Sequence, residues 1–345
     1  MTKSVKVGNL KIGGGAPISI QSMLSTPFDD FEGGLNQAKQ LASAGCDIIR
    51  VAIPNMEAVP IIHLLKENVT TPIVADIHFD YRLALASVDA GVDKIRINPG
   101  NIGDIHKIKM VADACRKKNI PIRIGVNSGS LQKDILAKYG SPTAPALAES
   151  ALEHIRLLNQ CDFDDIVISL KSSNPTTTIN AYRLMAEKCD YPLHLGVTEA
   201  GTERMGIIKS AIGIGSLLAD GIGDTIRVTL TCDPLREIFA ARDILKALGF
   251  KGYGANLICC PTCGRTQIDL FSLANEAEKR LASCKKDITV AIMGCMVNGP
   301  GEAREADIGI AGGKGVGVIF QKGEILGKFP AEKLIDELFA RIDKM

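Results

Sequence analysis

The sequence predicts an α/β protein, a (β/α)8 barrel followed by a smaller α/β module, on three observations. Eight short apolar, β-branched runs alternate with helical stretches, a strand-entry motif repeats, and the character of the chain changes after residue 248. The runs lie at residues 18–22, 47–52, 72–77, 94–98, 121–127, 165–171, 192–198 and 225–230, each followed by enough chain for a loop and a helix. Eight strands in roughly 250 residues is what a closed parallel barrel requires. A doubly wound open sheet is the alternative that the same alternation permits.

The repeat is Ala44-Gly45-Cys46-Asp47-Ile48-Ile49-Arg50-Val51, echoed by Ala90-Gly91-Val92-Asp93-Lys94-Ile95-Arg96-Ile97. Asp220-Gly221-Ile222-Gly223-Asp224-Thr225-Ile226-Arg227-Val228 is a looser third copy. Repeated strand entries suit a quasi-symmetric barrel in which each unit solves the same packing problem. After residue 248, Gly249-Phe250-Lys251-Gly252-Tyr253-Gly254 has neither helical nor strand period, which divides the chain into 1–248 and 249–345. The second part predicts a strand into Cys259-Cys260, a helix over 266–283, strands at 287–293, 307–311 and 316–320, a turn at Lys322-Gly323 and a helix after Pro330.

A length of 345 residues accommodates this plan with a sizeable core. The net charge of +1, without a basic tract, gives no electrostatic footprint for nucleic acid or a membrane surface, so a small partner is expected. The first ten residues lack a signal-peptide core, and no apolar run approaches the roughly 18 residues of a spanning helix. The expected location is the cytoplasm. Ten cysteines in such a chain read as reduced thiols plus a metal site rather than a disulfide framework. Cys46, Cys115, Cys161 and Cys189 sit in apolar or helical contexts and read as structural.

Strands buried on both faces should not carry charge unless it is paired or at the rim, yet Arg50, Arg96, Arg123 and Arg227 lie in predicted strands. Pairing with Asp47, Asp93 or Asp224, three residues earlier, is disfavoured because an odd separation puts side chains on opposite faces. Polar residues share the arginine faces toward the strand ends: Asn98, Asn127 and Thr229. Lys171 ends the sixth strand. Barrel active sites gather at the C-terminal strand ends, so five cations converging there point to a polyanion such as a diphosphate.

Further polar groups belong to the same rim. Asp76 and His78 share a face and could position a hydroxyl or form a weak metal site. His194 and Glu199 follow the seventh strand, where a carboxyl in a suitable environment could act as an acid; a barrel-interior role for His194 is equally open. The stretch 128–145 could be a lid or a long connection. Gly309-Ile310-Ala311-Gly312-Gly313-Lys314-Gly315 lacks the spacing and the following Ser or Thr of a phosphate loop, and no dinucleotide fingerprint is present. Electrons for redox chemistry would have to arrive through a protein.

The second part carries Cys260-Pro261-Thr262-Cys263 and then Cys295 within Gly294-Cys295-Met296-Val297-Asn298-Gly299-Pro300-Gly301-Glu302. Three thiolates leave a four-site cluster one ligand short. Structural zinc would recruit Cys259 or Cys284, but with no histidine in this part an iron–sulfur cluster is the better reading. Cys263 just before the predicted helix would have its thiolate favoured by the helix N-terminus. Gly299 and Gly301 would let the backbone approach a bulky inorganic group.

Along nearly its whole length the chain resembles the family of bacterial 4-hydroxy-3-methylbut-2-enyl diphosphate synthases. The resemblance is carried by Arg50-Val51-Ala52-Ile53-Pro54-Asn55, Ala75-Asp76-Ile77-His78-Phe79-Asp80, Arg96-Ile97-Asn98-Pro99-Gly100-Asn101, Gly125-Val126-Asn127-Ser128-Gly129-Ser130, Thr198-Glu199-Ala200-Gly201 and the segment from Met293 to Glu302. It implies a barrel plus a [4Fe-4S] module with Cys260, Cys263 and Cys295 as ligands and Glu302 as the fourth, a harder and more labile iron ligand than thiolate. It implies reductive opening of 2-C-methyl-D-erythritol 2,4-cyclodiphosphate with two electrons and loss of water. Arg50, Arg96, Arg123, Lys171 and Arg227 would grip the diphosphate, and Asn127 and Thr229 would add hydrogen bonds. Glu199 would be the proton donor or a substrate clamp, supported by Asp76, His78 and His194. Position 229 is Thr where many relatives have Ser, which keeps the hydroxyl, and the large insert of plant-type relatives is absent. Reduced flavodoxin or ferredoxin would supply electrons, and a head-to-tail homodimer would let one subunit's cluster module close the other's barrel. Competing readings are a zinc-stabilised binding module, a radical S-adenosylmethionine enzyme, for which C-x3-C-x2-C is missing, and a cluster-free barrel such as a pterin-pathway transferase, which leaves the cysteines without purpose.

Overall fold

The computed structural model describes residues 1–282, 284–296, 301 and 303–345. They form two compact units, Met1–Ile244 and Leu245–Met345, with the division inside the last helical turns of Pro234–Ala247.

The first unit opens with a hairpin that the apolar pattern did not predict, β1 (Val5–Val7) and β2 (Leu10–Ile12). Val7 and Ile12 pack on Ile48 and Val74, at the N-terminal ends of two barrel strands. The barrel strands are β3 (Ser19–Met23), β4 (Ile48–Ala52), β5 (Ile73–Asp76), β6 (Lys94–Ile97), β7 (Ile122–Asn127), β8 (Ile166–Lys171), β9 (His194–Leu195) and β10 (Thr225–Ile226). All neighbours are parallel, in the order β8-β7-β6-β5-β4-β3-β10-β9, and a bridge between Ile168 and Leu193 joins β8 to β9 and closes the ring. Every predicted barrel strand is present. The seventh and eighth are cut to two residues, and at the β8–β9 seam a side chain stands where a ladder bond would run: Leu170 N donates to the Tyr182 hydroxyl at 3.0 Å, and that hydroxyl donates to the His194 carbonyl.

The strand-entry repeat has a local cause. Asp47 donates its backbone N–H to the Ile20 carbonyl and accepts the Ile20 N–H on its carboxylate at 2.8 Å. Asp93 makes the same two-point clamp on Ile73, and Asp224 on Leu193. Each aspartate thus fixes the register of its strand against the neighbour, and none of the three holds the arginine that follows it.

Register sorts the strand residues by face. Ile49, Ile73, Ile95, Ile97, Ile122, Ile124, Ile166 and Ile168 alternate with the lumen positions, point to the helices and are fully buried. The lumen receives Gln21, Arg50, Asp76, Lys94, Arg96, Arg123, Ser169 and Lys171 through matched rows such as Arg50–Val74–Lys94 and Asp76–Arg96–Arg123. Barrel interiors are ordinarily filled by branched aliphatics; here most strand aliphatics face outward, and apart from Ile48, Val74 and Val167 the axis is largely polar.

The second unit is a five-stranded sheet, β11 (Asn256–Cys259), β12 (Thr289–Met293), β13 (Ile308–Gly312), β14 (Val316–Gln321) and β15 (Glu324–Pro330), in sequence order. The first three are parallel and the last two antiparallel. Helices Leu270–Leu281 and Leu334–Ile342 cover one face through Leu270, Ala277, Leu334 and Leu338. β15 was not predicted, because its largely exposed residues carry no apolar alternation; Lys322 and Gly323, at φ 47° and 83°, turn the chain into it. Asp307 clamps Thr289 as the barrel aspartates clamp their neighbours. The helix expected from 266 starts at Leu270, because the Asp269 carboxylate accepts the Ser272 N–H at 3.1 Å and caps it there. Cys263 therefore lies outside the first turn, and the expected effect of the helix N-terminus on its thiol is corrected. No helix among the described residues is long and apolar enough to cross a membrane.

Candidate functional site

The predicted cations come from five strands or strand ends, Arg50 on β4, Arg96 on β6, Arg123 on β7, Lys171 on β8 and Arg227 just after β10, and Lys94 joins them deeper on β6. Asp76 organises two of them. Its carboxylate lies 2.5 Å from Arg50 Nη2, 3.2 Å from Arg96 Nη1 and 3.0 Å from His78 Nε2. Burial alone would raise this carboxyl, but Arg50, then His78 and Arg96, outweigh it and hold it well below the usual carboxylate range. Arg50 and Arg96 are thus paired, by an aspartate on the strand between theirs rather than by the aspartates three residues before them.

Arg227 lies 3.6 Å from Glu237, which also accepts from Ser22 Oγ and Leu230 N, each at 3.0 Å. Glu237 escaped the sequence reading because it sits on the helix after the eighth strand, where an acidic first turn is ordinary. Arg123 is 1 % exposed, and its Nε and Nη1 have no hydrogen-bond partner among the described residues. A charged group in that state is costly unless an anion completes it.

Lys171 Nζ lies 3.4 Å from His194 Nε2, and His194 Nδ1 lies 3.4 Å from Thr225 Oγ1. Burial, then Arg123, Arg227, Arg50 and Arg96, push the Lys171 amine well below the lysine value. His194 is fully buried; its burial, then Arg123, Lys171, Lys94 and Arg50, hold the imidazole neutral. Two glycines, missed in the sequence, make room for these side chains. A Cβ on Gly125 would sit 2.2 Å from Arg96 Nε, and one on Gly196 2.8 Å from Lys171 Nζ.

Asn127 ends β7 in register with Lys171, and Thr229 follows Arg227 by two residues; both are half-buried. Asn98 spends its side chain on capping, accepting from Gly100 N at 3.2 Å. His78 is 56 % exposed at the mouth. Glu199 is exposed and has φ 51°, a left-handed backbone that a non-glycine residue adopts only when its surroundings impose it. Asp76, His78 and the cations form one group, and His194 lies within it beside Lys171.

In the second unit, Cys260 and Cys295 follow the C-terminal ends of the adjacent parallel strands β11 and β12, with Cys263 three residues beyond Cys260. Gly294 N donates to Cys260 Sγ at 3.0 Å. The backbone N–H of Arg265, then its side chain, hold the exposed Cys263 thiol below its ordinary value. Burial raises the thiol of Cys259, which adjoins Cys260 in sequence. Cys260 and Cys295 thus lie at the same end of the sheet, and the lowered Cys263 with the N–H aimed at Cys260 sulfur suits thiolate ligation of a soft metal. Among the described residues no three such side chains converge as a closed metal site. Glu302, the expected fourth ligand, lies outside the described residues, as do Asn298, Gly299 and Pro300.

Solved structures of dihydropteroate synthase share the barrel: that from Stenotrophomonas maltophilia superposes with a TM-score of 0.53 at 15% identity, covering 71% of this chain and 97% of its own. At that identity the likeness concerns the fold alone. A relative in Clostridium perfringens, named 4-hydroxy-3-methylbut-2-en-1-yl diphosphate synthase (flavodoxin), is 60% identical over 342 residues, covering 99% of this chain and 98% of the relative. One of the same name in Geobacter sulfurreducens is 53% identical over 344 residues, covering 100% and 98%. The GcpE TIM-barrel domain matches residues 2–242 and the GcpE protein C-terminal domain residues 256–344, so the chain belongs to the GcpE family.

Proposed function

We infer that this chain catalyses the two-electron reductive ring opening and dehydroxylation of 2-C-methyl-D-erythritol 2,4-cyclodiphosphate to (E)-4-hydroxy-3-methylbut-2-enyl diphosphate, a step of isoprenoid precursor synthesis. The observation that carries this is a lumen lined by six basic side chains, five of them toward its mouth, with a thiol set at one end of a sheet in the same chain, in a family whose relatives bear the name of that synthase.

Arg50, Arg96, Arg123, Lys171 and Arg227 bind the diphosphate, with Asn127 and Thr229 donating hydrogen bonds. Asp76 keeps Arg50 and Arg96 aimed before the anion arrives, so little reorganisation is needed on binding. His78 bonds the same carboxylate from the mouth, and neutral His194 can accept from Lys171 once that amine is protonated. The departing hydroxyl needs a proton, and Glu199, exposed four residues beyond β9, is the residue we assign to give one. Cys260, Cys263 and Cys295, with Glu302, would hold a [4Fe-4S] cluster, which supplies electrons one at a time. Reduced flavodoxin or ferredoxin is the expected donor, and the working form is a homodimer.

The test is anaerobic purification with iron and sulfide quantification, and turnover of the cyclodiphosphate with dithionite and a mediator dye in the same preparation. About four irons per chain with product formation supports the reading; a colourless zinc protein would overturn it. Glu199→Gln should lower kcat by about a hundredfold with iron content unchanged, and undiminished turnover would remove it as proton donor. In the homodimer reading, mixing a Cys295→Ser chain with an Arg96→Ala chain restores part of the activity; no rescue despite proven subunit exchange argues for sites within one chain.

A further inference from the structure

Lys94 has no part in the anion reading, yet it is the most enclosed cation of the lumen. Its side chain is 0 % exposed, and Nζ has no hydrogen-bond partner among the described residues. It stands on β6 in the row Arg50–Val74–Lys94, one position deeper than Arg96. The titratable groups of the lumen are Arg50 from β4, Asp76 from β5, Arg96 from β6 itself, Arg123 from β7, Lys171 from β8, His194 from β9 and Arg227 beyond β10, while β3 offers neutral Ser19 and Gln21. Glu237 lies against Arg227. Carboxylates are therefore outnumbered by basic groups in an enclosed space.

The amine there makes no hydrogen bond among the described residues, and as an ammonium it would face two guanidiniums, a state that neither desolvation nor Coulomb repulsion favours. Burial, then Arg123 and Arg50, accordingly hold the Lys94 amine well below the ordinary lysine value. A diphosphate on Arg123 and Arg50 reverses the sign of the local field. Gln21 Oε1, buried and also without a partner, faces the same lumen and can accept an N–H.

We propose that Lys94 is the charge compensator of the barrel, a neutral amine in the empty enzyme that takes a proton from solvent when a diphosphate occupies the arginines above it. This rests on the reading of the lumen as a diphosphate site. One N–H bond forms, no bond of the ligand breaks, and the enzyme gains one positive charge per anion bound. Lys94 acts through Arg123 and Arg50 and is a positioning residue that tunes affinity.

The test is titration calorimetry of the anaerobic holoenzyme with inorganic pyrophosphate, in buffers of equal pH and different ionisation enthalpy. Proton uptake by the wild type should exceed that of Lys94→Met and Lys94→Gln by about one proton per site, because ligand ionisation and any contribution of Lys171 are common to all three. If neither variant folds, ε-13C-lysine spectra of the wild type serve: a neutral-amine signal should move to the ammonium position on adding pyrophosphate. Equal proton uptake in wild type and variants, or lysine signals that keep their ionisation state, would overturn the proposal alone. No pyrophosphate binding at all would overturn the diphosphate reading and the proposal with it.

Discussion

At residue scale, single side chains decide whether the lumen cations can work. Asp76 brings together Arg50, Arg96 and His78, and Gly125 leaves the space into which Arg96 Nε fits. Gly125→Ala places a Cβ 2.2 Å from that nitrogen, so Arg96 must swing away and lose both the Asp76 contact and its 3.2 Å bond to the Gly125 carbonyl. KM for the cyclodiphosphate should rise about tenfold or more, the effect of ~1.4 kcal/mol, with a smaller change in kcat. Steady-state kinetics checks this, and an unchanged KM would take Arg96 out of substrate binding. Arg96 was legible in the sequence as an unexpected charge in a strand; Gly125 was not, because nothing in sequence distinguishes a glycine that leaves space for a neighbour from one that merely loosens a strand.

At the scale of elements, the connection after β7 is latched down. It forms a turn at Ser128–Ser130 and a helix at Lys133–Tyr139. Gln132 accepts from Ser150 Oγ at 2.6 Å and offers its amide to His154 Nε2 at 3.2 Å, while Lys138 and Tyr139 reach Glu149. These partners lie on the helix Ala144–Asn159. With the Gln132 oxygen occupied by Ser150, its amide N–H2 meets His154, which must accept and so be neutral. Burial lowers the His154 pKa to about 4 from 6.5. Between those values the unfolded chain binds a proton that the folded chain refuses, so stability is full above pH 6.5, falls as pH drops and levels off near 4. The loss should be on the order of 3 kcal/mol, and His154→Gln should flatten this part of the profile in urea unfolding followed from pH 7 to 4. A wild-type and variant pair with parallel profiles would show that the latch does not depend on the neutral ring.

For the whole molecule, an outward-facing aliphatic shell lets the barrel tolerate a polar axis. The shell supplies the burial that holds the sheet to its helices, while the axis keeps Arg123 polar atoms without partners. An anion that completes them binds only the folded state. Pyrophosphate at about a hundred times its Kd should therefore stabilise the barrel by about 2.7 kcal/mol, read as a rise in Tm, and Arg123→Met should abolish the rise. Since every cation involved belongs to Met1–Ile244, removing iron from the preparation should leave this shift intact. A shift that vanishes with the iron would place anion binding at the thiol set instead.

The eight barrel strands, the strand-entry repeat, the unexpected strand arginines and the three thiols after β11 and β12 were all legible in the sequence, because period, composition and spacing are local properties of a chain. The partners were not. Asp76 stands one strand from Arg50 and one from Arg96, Glu237 reaches back to Ser22, and Tyr182 inserts between β8 and β9; each is a contact between separate elements of the chain. Gln21 and Lys94 gain a place only when closure of the ring turns one face of every strand toward a common axis. Which charges meet is settled only when strand order and register are set, and that is a property of the closed barrel rather than of any strand in it.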